Sequence, residues 1–166
     1  MKRTLVTVLI CFFAMSLTLA HEHTRDKATI QLGKGKVTID YGTPQLKGRN
    51  LDEMIQPGAP WRIGMDDPTT VETTVALDFN GKKLAPGKYT LYARSDEKKN
   101  WTLLISSSAA GRFDPKSIVV EAPLHFMKDK TSAEKLKVTL EKAADGASLL
   151  IAWGNYRLHG SFKAAA

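Results

Sequence analysis

The fold is decided by residues 61–94, WRIGMDDPTTVETTVALDFNGKKLAPGKYTLYAR. Within this stretch, residues 71–79 carry mostly apolar side chains at odd positions and polar or small ones at even positions. Successive side chains of a β-strand point to opposite faces, so one face of this segment meets a core and the other meets water. Asn80 and Gly81 follow, a pair that suits the positive φ angles of a two-residue hairpin turn. The stretch predicts one long strand over residues 71–79, a tight turn, and a strand that resumes near Tyr89.

Short alternating segments recur through the rest of the chain. Residues 118–121 predict a brief strand that ends at Pro123, because proline gives no N–H group to a sheet. Gly154 and Asn155 predict a hairpin turn before the last strand, since both residues favour turns. Each segment is short and bounded by turn residues, which is typical of antiparallel β proteins.

One helical segment interrupts the β pattern. Asn50 suits a helix N-cap and Glu53 stands three positions later, so residues 51–56 predict a helix of one or two turns. The remainder of the chain reads as roughly eight to ten strands. We therefore predict an all-β fold, a single antiparallel β-sandwich that is jelly-roll-like and carries one short helix.

The chain divides into a leader, a tail and one domain. Residues 1–20 begin with Lys2 and Arg3, continue as an apolar run and end in small residues, which is typical of a cleaved signal peptide. Residues 21–27 are polar and predict a mobile N-terminal tail. Residues 28–163 predict one β-sandwich domain, long enough to bury a core of its own. We therefore expect an exported protein that is periplasmic or secreted.

Charge and cysteine content exclude several classes of protein. The formal net charge is +7, of which the leader supplies two positive charges, leaving +5 on the exported chain. The basic residues are scattered singly and lack interleaved aromatic side chains, which argues against nucleic-acid binding. The single cysteine, Cys11, lies in the leader, so we expect no disulfide or thiol chemistry after processing. After the leader, no apolar run is long enough to predict a transmembrane helix.

Three motifs resemble one exported bacterial family, catalogued as domain of unknown function 2911. They are YGTPQLKGR at residues 41–49, PWRIG at residues 60–64 and GKKLAPGKYTL at residues 81–91. The resemblance extends over residues 37–153, and it implies an exported β-rich domain and no particular reaction. Two positions depart from the usual family pattern. Residues 64–69 read GMDDPT where Gly-Ala-Asn-Glu-Ala-Thr is usual, and Gly154 stands where an acidic residue tends to follow the late tryptophan.

Arg49, Trp61, Arg62, Asp66 and Asp67 are the candidate ligand-binding residues. Guanidinium groups form paired hydrogen bonds with carboxylate, phosphate or sugar oxygens. Trp61 has the shape either to stack on a sugar or to seal a pocket. The same residues also fit a structural ion-pair network that holds the loop before residues 71–79, which is the commoner role of such residues in loops. The sequence leaves both interpretations open.

Histidines offer a second candidate site. If the leader is cleaved after Ala20, the new amino terminus is followed by His21 and, at position three, by His23. That arrangement binds square-planar Cu(II) or Ni(II), which makes copper the one candidate cofactor. Alternatively, an N-terminal histidine chelates copper through its amine and its ring, and His125 or His159 completes the site. Taken singly, His125 in a loop and His159 on the last strand are typical of histidines without a catalytic role.

Three functions remain open. The first is non-catalytic binding of a small molecule, a glycan or an envelope partner through the loop around Trp61. The second is copper handling at the new amino terminus. The third is hydrolysis of envelope or extracellular polymers by Asp66, Asp67 or Glu72. The sequence has no nucleophile elbow, phosphate-binding loop or zinc motif, so it assigns no catalytic residue and leaves open whether the protein is an enzyme. We favour the first function.

Overall fold

The computed structural model describes residues 24–108 and 112–165, so the predicted leader lies outside it. One short helix, α1, spans Leu51–Met54, and a 3-10 turn spans Pro115–Ser117. The strands are β1 (Arg25–Leu32), β2 (Gly35–Gly42), β3 (Thr70–Thr73), β4 (Leu77–Phe79), β5 (Lys82–Leu84), β6 (Gly87–Ser95), β7 (Trp101–Ser106), β8 (Ile118–Ala143) and β9 (Gly146–Ala164).

Hydrogen bonds join these nine strands into one antiparallel sheet, in the order β1-β2-β3-β6-β7-β8-β9-β4-β5. β1 nevertheless lies close to β8 and β9, from which it is far removed in that order. The sheet therefore folds over on itself, around a core to which every one of these strands contributes. The predicted all-β class is confirmed. The finer prediction, a jelly-roll-like sandwich of two sheets, stays a prediction.

The strand predicted over residues 71–79 is broken in two. β3 ends at Thr73 and pairs with β2 and β6, whereas β4 begins at Leu77 and pairs with β5 and β9. At the bend, the Thr73 hydroxyl donates to the carbonyl oxygen of Val75 at 2.6 Å. Leu77 and Phe79 still face the core, so the alternation continues although the hydrogen-bonding partners change. The apolar pattern alone could not reveal this change of partners.

The last two strands are longer than the sequence predicts. β8 continues through Pro123, which lies opposite Thr102 of β7. β9 continues through Gly154, and the predicted hairpin turn there is wrong. Gly154 pairs with Ala133 where the register of β8 and β9 shifts, and its φ of 52° accommodates that irregularity. A glycine inside a strand often marks such a bulge instead of a reversal.

β1 begins inside the segment predicted to be a mobile tail. Arg25 pairs with Gly42 of β2, and its guanidinium lies 2.6 Å from a carboxylate oxygen of Asp40. This ion pair joins the start of β1 to β2. The strand therefore starts three residues before the predicted boundary at residue 28, and residues 21–23 lie outside the described chain.

Two local predictions are confirmed. Asn80 and Gly81 have φ angles of 53° and 88° and connect β4 to β5 as a two-residue turn. Asn50 caps α1, because its side-chain oxygen accepts a hydrogen bond from the Asp52 N–H at 3.0 Å. The helix is shorter than residues 51–56, since it ends at Met54.

Across residues 24–108 and 112–165, no helix is long and apolar enough to cross a membrane.

Candidate functional site

Three of the five predicted ligand-binding residues line one open cleft. Arg49, Trp61 and Arg62 border a space of about 330 Å³, which we call the arginine cleft. Met54 and Met65 also line it. No aspartate or glutamate in the described part of the chain lines the cleft. Its walls therefore combine two positive charges with apolar surface.

Trp61 is held in the cleft wall by β6. The backbone N–H of Trp61 donates to the carbonyl oxygen of Ala93 at 2.7 Å, and the carbonyl oxygen of Trp61 accepts from the backbone N–H of Ala93 at 2.8 Å. The Trp61 ring stacks on Trp153, with centroids 6.0 Å apart and planes 7° from parallel, and meets Trp101 nearly edge-on at 6.1 Å. All three tryptophans of the chain thus form one cluster. Of the two roles open to Trp61, this packing supports a sealing wall.

Arg49 is oriented by backbone carbonyl groups and by an aromatic ring. Its Nε donates to the carbonyl oxygen of Leu46 at 3.0 Å, and its Nη2 donates to that of Gln45. The guanidinium carbon lies 5.8 Å from the ring centroid of Trp153, a favourable cation–π distance. The segment before Arg49 is tied to β8, because the Leu46 N–H donates to the carbonyl oxygen of Glu134 at 2.7 Å. The arginine is therefore fixed to the sheet.

Arg62 lies on a loop with unusual backbone geometry. Its Nη2 donates to the carbonyl oxygen of Asp66 at 2.6 Å. The next residue, Ile63, is buried and has a φ of 49°, a left-handed conformation that is costly for a β-branched residue. The Thr69 hydroxyl donates to the Ile63 carbonyl oxygen and holds this conformation. The loop thus presents Arg62 in one defined orientation.

The predicted carboxylates do not line the arginine cleft. Asp66 supplies its backbone oxygen to Arg62. Asp67 lines a different cleft together with Lys88, and its backbone oxygen accepts a hydrogen bond from Arg25 at 3.2 Å. The structure therefore divides the predicted site. The two arginines and Trp61 come together, whereas Asp67 lies elsewhere.

A sequence profile of one family matches residues 23–162, and its description is "Protein of unknown function (DUF2911)". This chain belongs to the DUF2911 family. The match confirms the resemblance carried by the three motifs, and it extends from the residue before the described chain into β9. No curated protein and no solved structure matches the chain significantly.

Asp52, Lys99, Lys128 and Tyr156 form a polar cluster in this DUF2911 protein, which we call the Asp52 cluster and which no sequence motif indicates. The carboxylate of Asp52 accepts hydrogen bonds from Lys128 Nζ at 2.8 Å, from Lys99 Nζ at 2.9 Å and from the Tyr156 hydroxyl at 2.6 Å. These hydrogen bonds hold the pKa of Asp52 well below its usual range, and the bond from Lys128 contributes most to that shift. Burial, together with the hydrogen bond to Asp52, raises the pKa of Tyr156. The cluster anchors α1, whose Met54 lines the arginine cleft.

The histidines of the DUF2911 protein are arranged differently from the sequence prediction. His21 and His23, the predicted metal ligands, lie outside the described residues. His125 lies on β8 and not in a loop, and it is directly opposite His159 on β9. In the part of the chain that the structure covers, no group of three or more His, Cys, Asp or Glu is placed to hold a metal ion.

Proposed function

We propose that this DUF2911 protein is exported to the bacterial envelope and binds an anionic ligand in the arginine cleft without catalysing a reaction. The charge of the cleft carries this proposal. Arg49 and Arg62 both line it, and no carboxylate from the described residues does so. Two guanidinium groups in a cleft that no described carboxylate lines attract carboxylate or phosphate oxygens.

Both arginines retain donors for such a ligand. A guanidinium carries five N–H donors in a fixed plane. Hydrogen bonds within the described chain engage Nε and Nη2 of Arg49 and Nη2 of Arg62, all with backbone carbonyl oxygens. Nη1 of each arginine makes no hydrogen bond to a described residue. An anion in the cleft therefore meets oriented donors that carry full positive charge.

Apolar side chains define the rest of the ligand. Met54, Ile55, Met65 and Trp61 line the same cleft, and Met54 is 40% exposed. Thioether and aliphatic side chains pack well against hydrocarbon, and the Trp61 ring closes the wall beside them. The ligand class is therefore a small molecule or glycan that carries a carboxylate or phosphate beside an apolar face.

The position of the carboxylates supports binding over hydrolysis. Glycoside hydrolysis usually needs two carboxyl groups on either side of the bond that breaks. Asp66 and Asp67 do not line the arginine cleft, and Glu72 lies on β3, opposite Lys88 of β6. None of the three is among the residues that line the cleft beside Arg49 and Arg62.

Intrinsic fluorescence tests the proposal, since every tryptophan of the chain belongs to one cluster, of which Trp61 and Trp153 line the cleft. The probes are inorganic phosphate, an oligogalacturonate and a neutral oligosaccharide of equal length. We expect a saturable fluorescence change with an anionic probe and none with the neutral sugar. Arg62→Ala should weaken binding about tenfold or more, because a hydrogen bond to a charged group contributes about 1.5–3 kcal/mol.

The matched control is Arg94→Ala. Arg94 lies on β6 outside the cleft, and its guanidinium is 3.8 Å from Glu121. This variant should bind the anionic probe as the parent protein does. An Arg62→Ala protein with a lower melting temperature and unchanged probe affinity would show that Arg62 is structural, and the binding proposal would fail.

A further inference from the structure

We propose that His125 and His159 together chelate one divalent first-row transition-metal ion, such as Cu(II), Ni(II) or Zn(II), on the outer face of the β8–β9 ribbon. This site uses no residue that lines the arginine cleft, and neither His21 nor His23. Neutral imidazole is a favoured ligand for all three ions.

The register of the ribbon brings the two rings together. His125 and His159 are direct partners on antiparallel strands, and both are exposed. Directly opposite residues on such strands have Cβ atoms about 4.5–5.5 Å apart and project from the same face. Two imidazoles at that spacing can reach one ion at metal–nitrogen distances of about 2.0–2.1 Å.

The opposite face of the ribbon holds the pair in place. Phe126 follows His125, and its ring packs against Tyr156 at 4.9 Å and against Trp101 at 6.0 Å. Leu158 precedes His159 and is completely buried. Because neighbouring side chains on a strand point to opposite faces, these anchors direct both histidines outward. A metal site on such a fixed pair needs little reorganisation.

Arg157, a cation on the same face of β9 as His159, is paired with a carboxylate. Arg157 lies two residues before His159, and its Nε is 3.3 Å from a carboxylate oxygen of Asp129. Its Nη2 donates to the carbonyl oxygen of Thr131 at 2.9 Å, and its Nη1 donates to that of Gly154 at 2.9 Å. Asp129, Thr131 and Gly154 all lie on the side of Arg157 that faces the β8–β9 turn, whereas His159 lies on its other side. The guanidinium is therefore directed away from the histidine pair.

The protein supplies an open site. Among the described residues no third His, Cys, Asp or Glu joins the pair, so water completes the coordination of the ion. Met127 lies two residues from His125 and is 48% exposed, but it is not a ligand in this proposal, because a thioether favours the softer Cu(I) over the divalent ions. Two imidazoles with open positions describe an exchangeable site and not a buried structural one.

The test uses the full chain with His21→Ala and His23→Ala. The chain has four histidines, so this background leaves only the proposed pair. Calorimetric titration with Ni(II) is compared with the further variants His125→Gln and His159→Gln, and Met127→Leu is the control. We expect one ion per chain, an affinity about tenfold or more weaker after either histidine substitution, and no change in the control. Ni(II) should also raise the melting temperature of the background chain, since the pair exists only in the folded state.

Two results would overturn the proposal. Uptake of equal affinity in the background chain and in both single variants would place the ion elsewhere. Loss of half the capacity in each single variant would mean two independent imidazoles and no chelate. Either result leaves the proposal for the arginine cleft unaffected, because Ni(II) uptake and anion binding are measured with different probes on different residues.

Discussion

At the scale of single residues, Asp52 takes its role from partners far away in sequence. Its carboxylate lies 2.6 Å from the hydroxyl of Tyr156, a residue 104 positions later. Lys99 reaches the same carboxylate from the turn between β6 and β7, and Lys128 reaches it from β8. The Asp52 cluster therefore connects α1 to the turn between β6 and β7 and to the point where Lys128 of β8 lies opposite Tyr156 of β9.

We expect Asp52→Asn to lower stability in a pH-dependent way. The pKa of Asp52 is lower in the folded protein than the usual value of about 3.9, so the charged form stabilises the fold. That contribution is fully present above about pH 4 and is lost as pH falls through the lowered pKa. The melting temperature of the variant should be lower than that of the parent at pH 7, and this difference should become smaller below pH 4. The side chain is 39% exposed, so the difference at pH 7 corresponds to about 1 kcal/mol or less.

The control for Asp52 is Glu97→Gln. Glu97 is an exposed carboxylate in the turn that also contains Lys99. Its replacement changes the net charge by the same amount without touching the Asp52 cluster. If the melting temperatures of the parent and Asp52→Asn differed by the same amount at pH 3 and at pH 7, the role assigned to the ionised carboxylate would be contradicted.

At the scale of elements, the end of β2 is packed directly against the loop that carries Arg62. A Cβ atom at Gly42 would lie 2.4 Å from the carbonyl oxygen of Met65, and Met65 lines the arginine cleft. The obstacle is backbone, which cannot turn aside as a side chain can. The smallest residue at this position therefore allows the close approach of β2 to the loop.

Gly42→Ala should destabilise the protein and disturb the cleft. The added methyl group forces β2 and the loop apart, and overpacking of this kind costs about 1–3 kcal/mol. Urea denaturation measures the loss, and the fluorescence titration with the anionic probe should show weaker binding. The control is Gly160→Ala, where the nearest atom is the flexible end of Leu124 at 2.9 Å. Equal stability of the two variants would contradict this account.

At the scale of the whole molecule, the proposed envelope location depends on residues 1–20. We expect expression in a bacterial host with its export pathway intact to yield a chain that starts at His21. The basic start, the apolar run and the small residues at its end are the physical signals for processing. N-terminal sequencing of the exported protein checks this outcome. A chain that stays in the cytoplasm with residue 1 retained would contradict the export proposal.

Part of the candidate site was predictable, because its residues are neighbours in the chain. Trp61 and Arg62 stand side by side before the central strands, and their residue types favour binding of anions or sugars. Arg49 joins them through contacts with Trp153, 104 positions later. Asp67 lines a different cleft although it is close to them in sequence, and Arg25 donates a hydrogen bond to its backbone oxygen there. Proximity along the chain could not separate these two surfaces.

The sequence by itself determined the features that depend on a few neighbouring residues. These are the β class, the apolar face of each strand, the turn at Asn80 and the cap at Asn50. Only the tertiary structure decided which strands pair, where residues 71–79 change partners, and which side chains share the arginine cleft. Alternation shows which face is apolar, but it carries no information on the partner across a long loop. His125 and His159 illustrate the difference, because only the register of β8 and β9 makes them a pair.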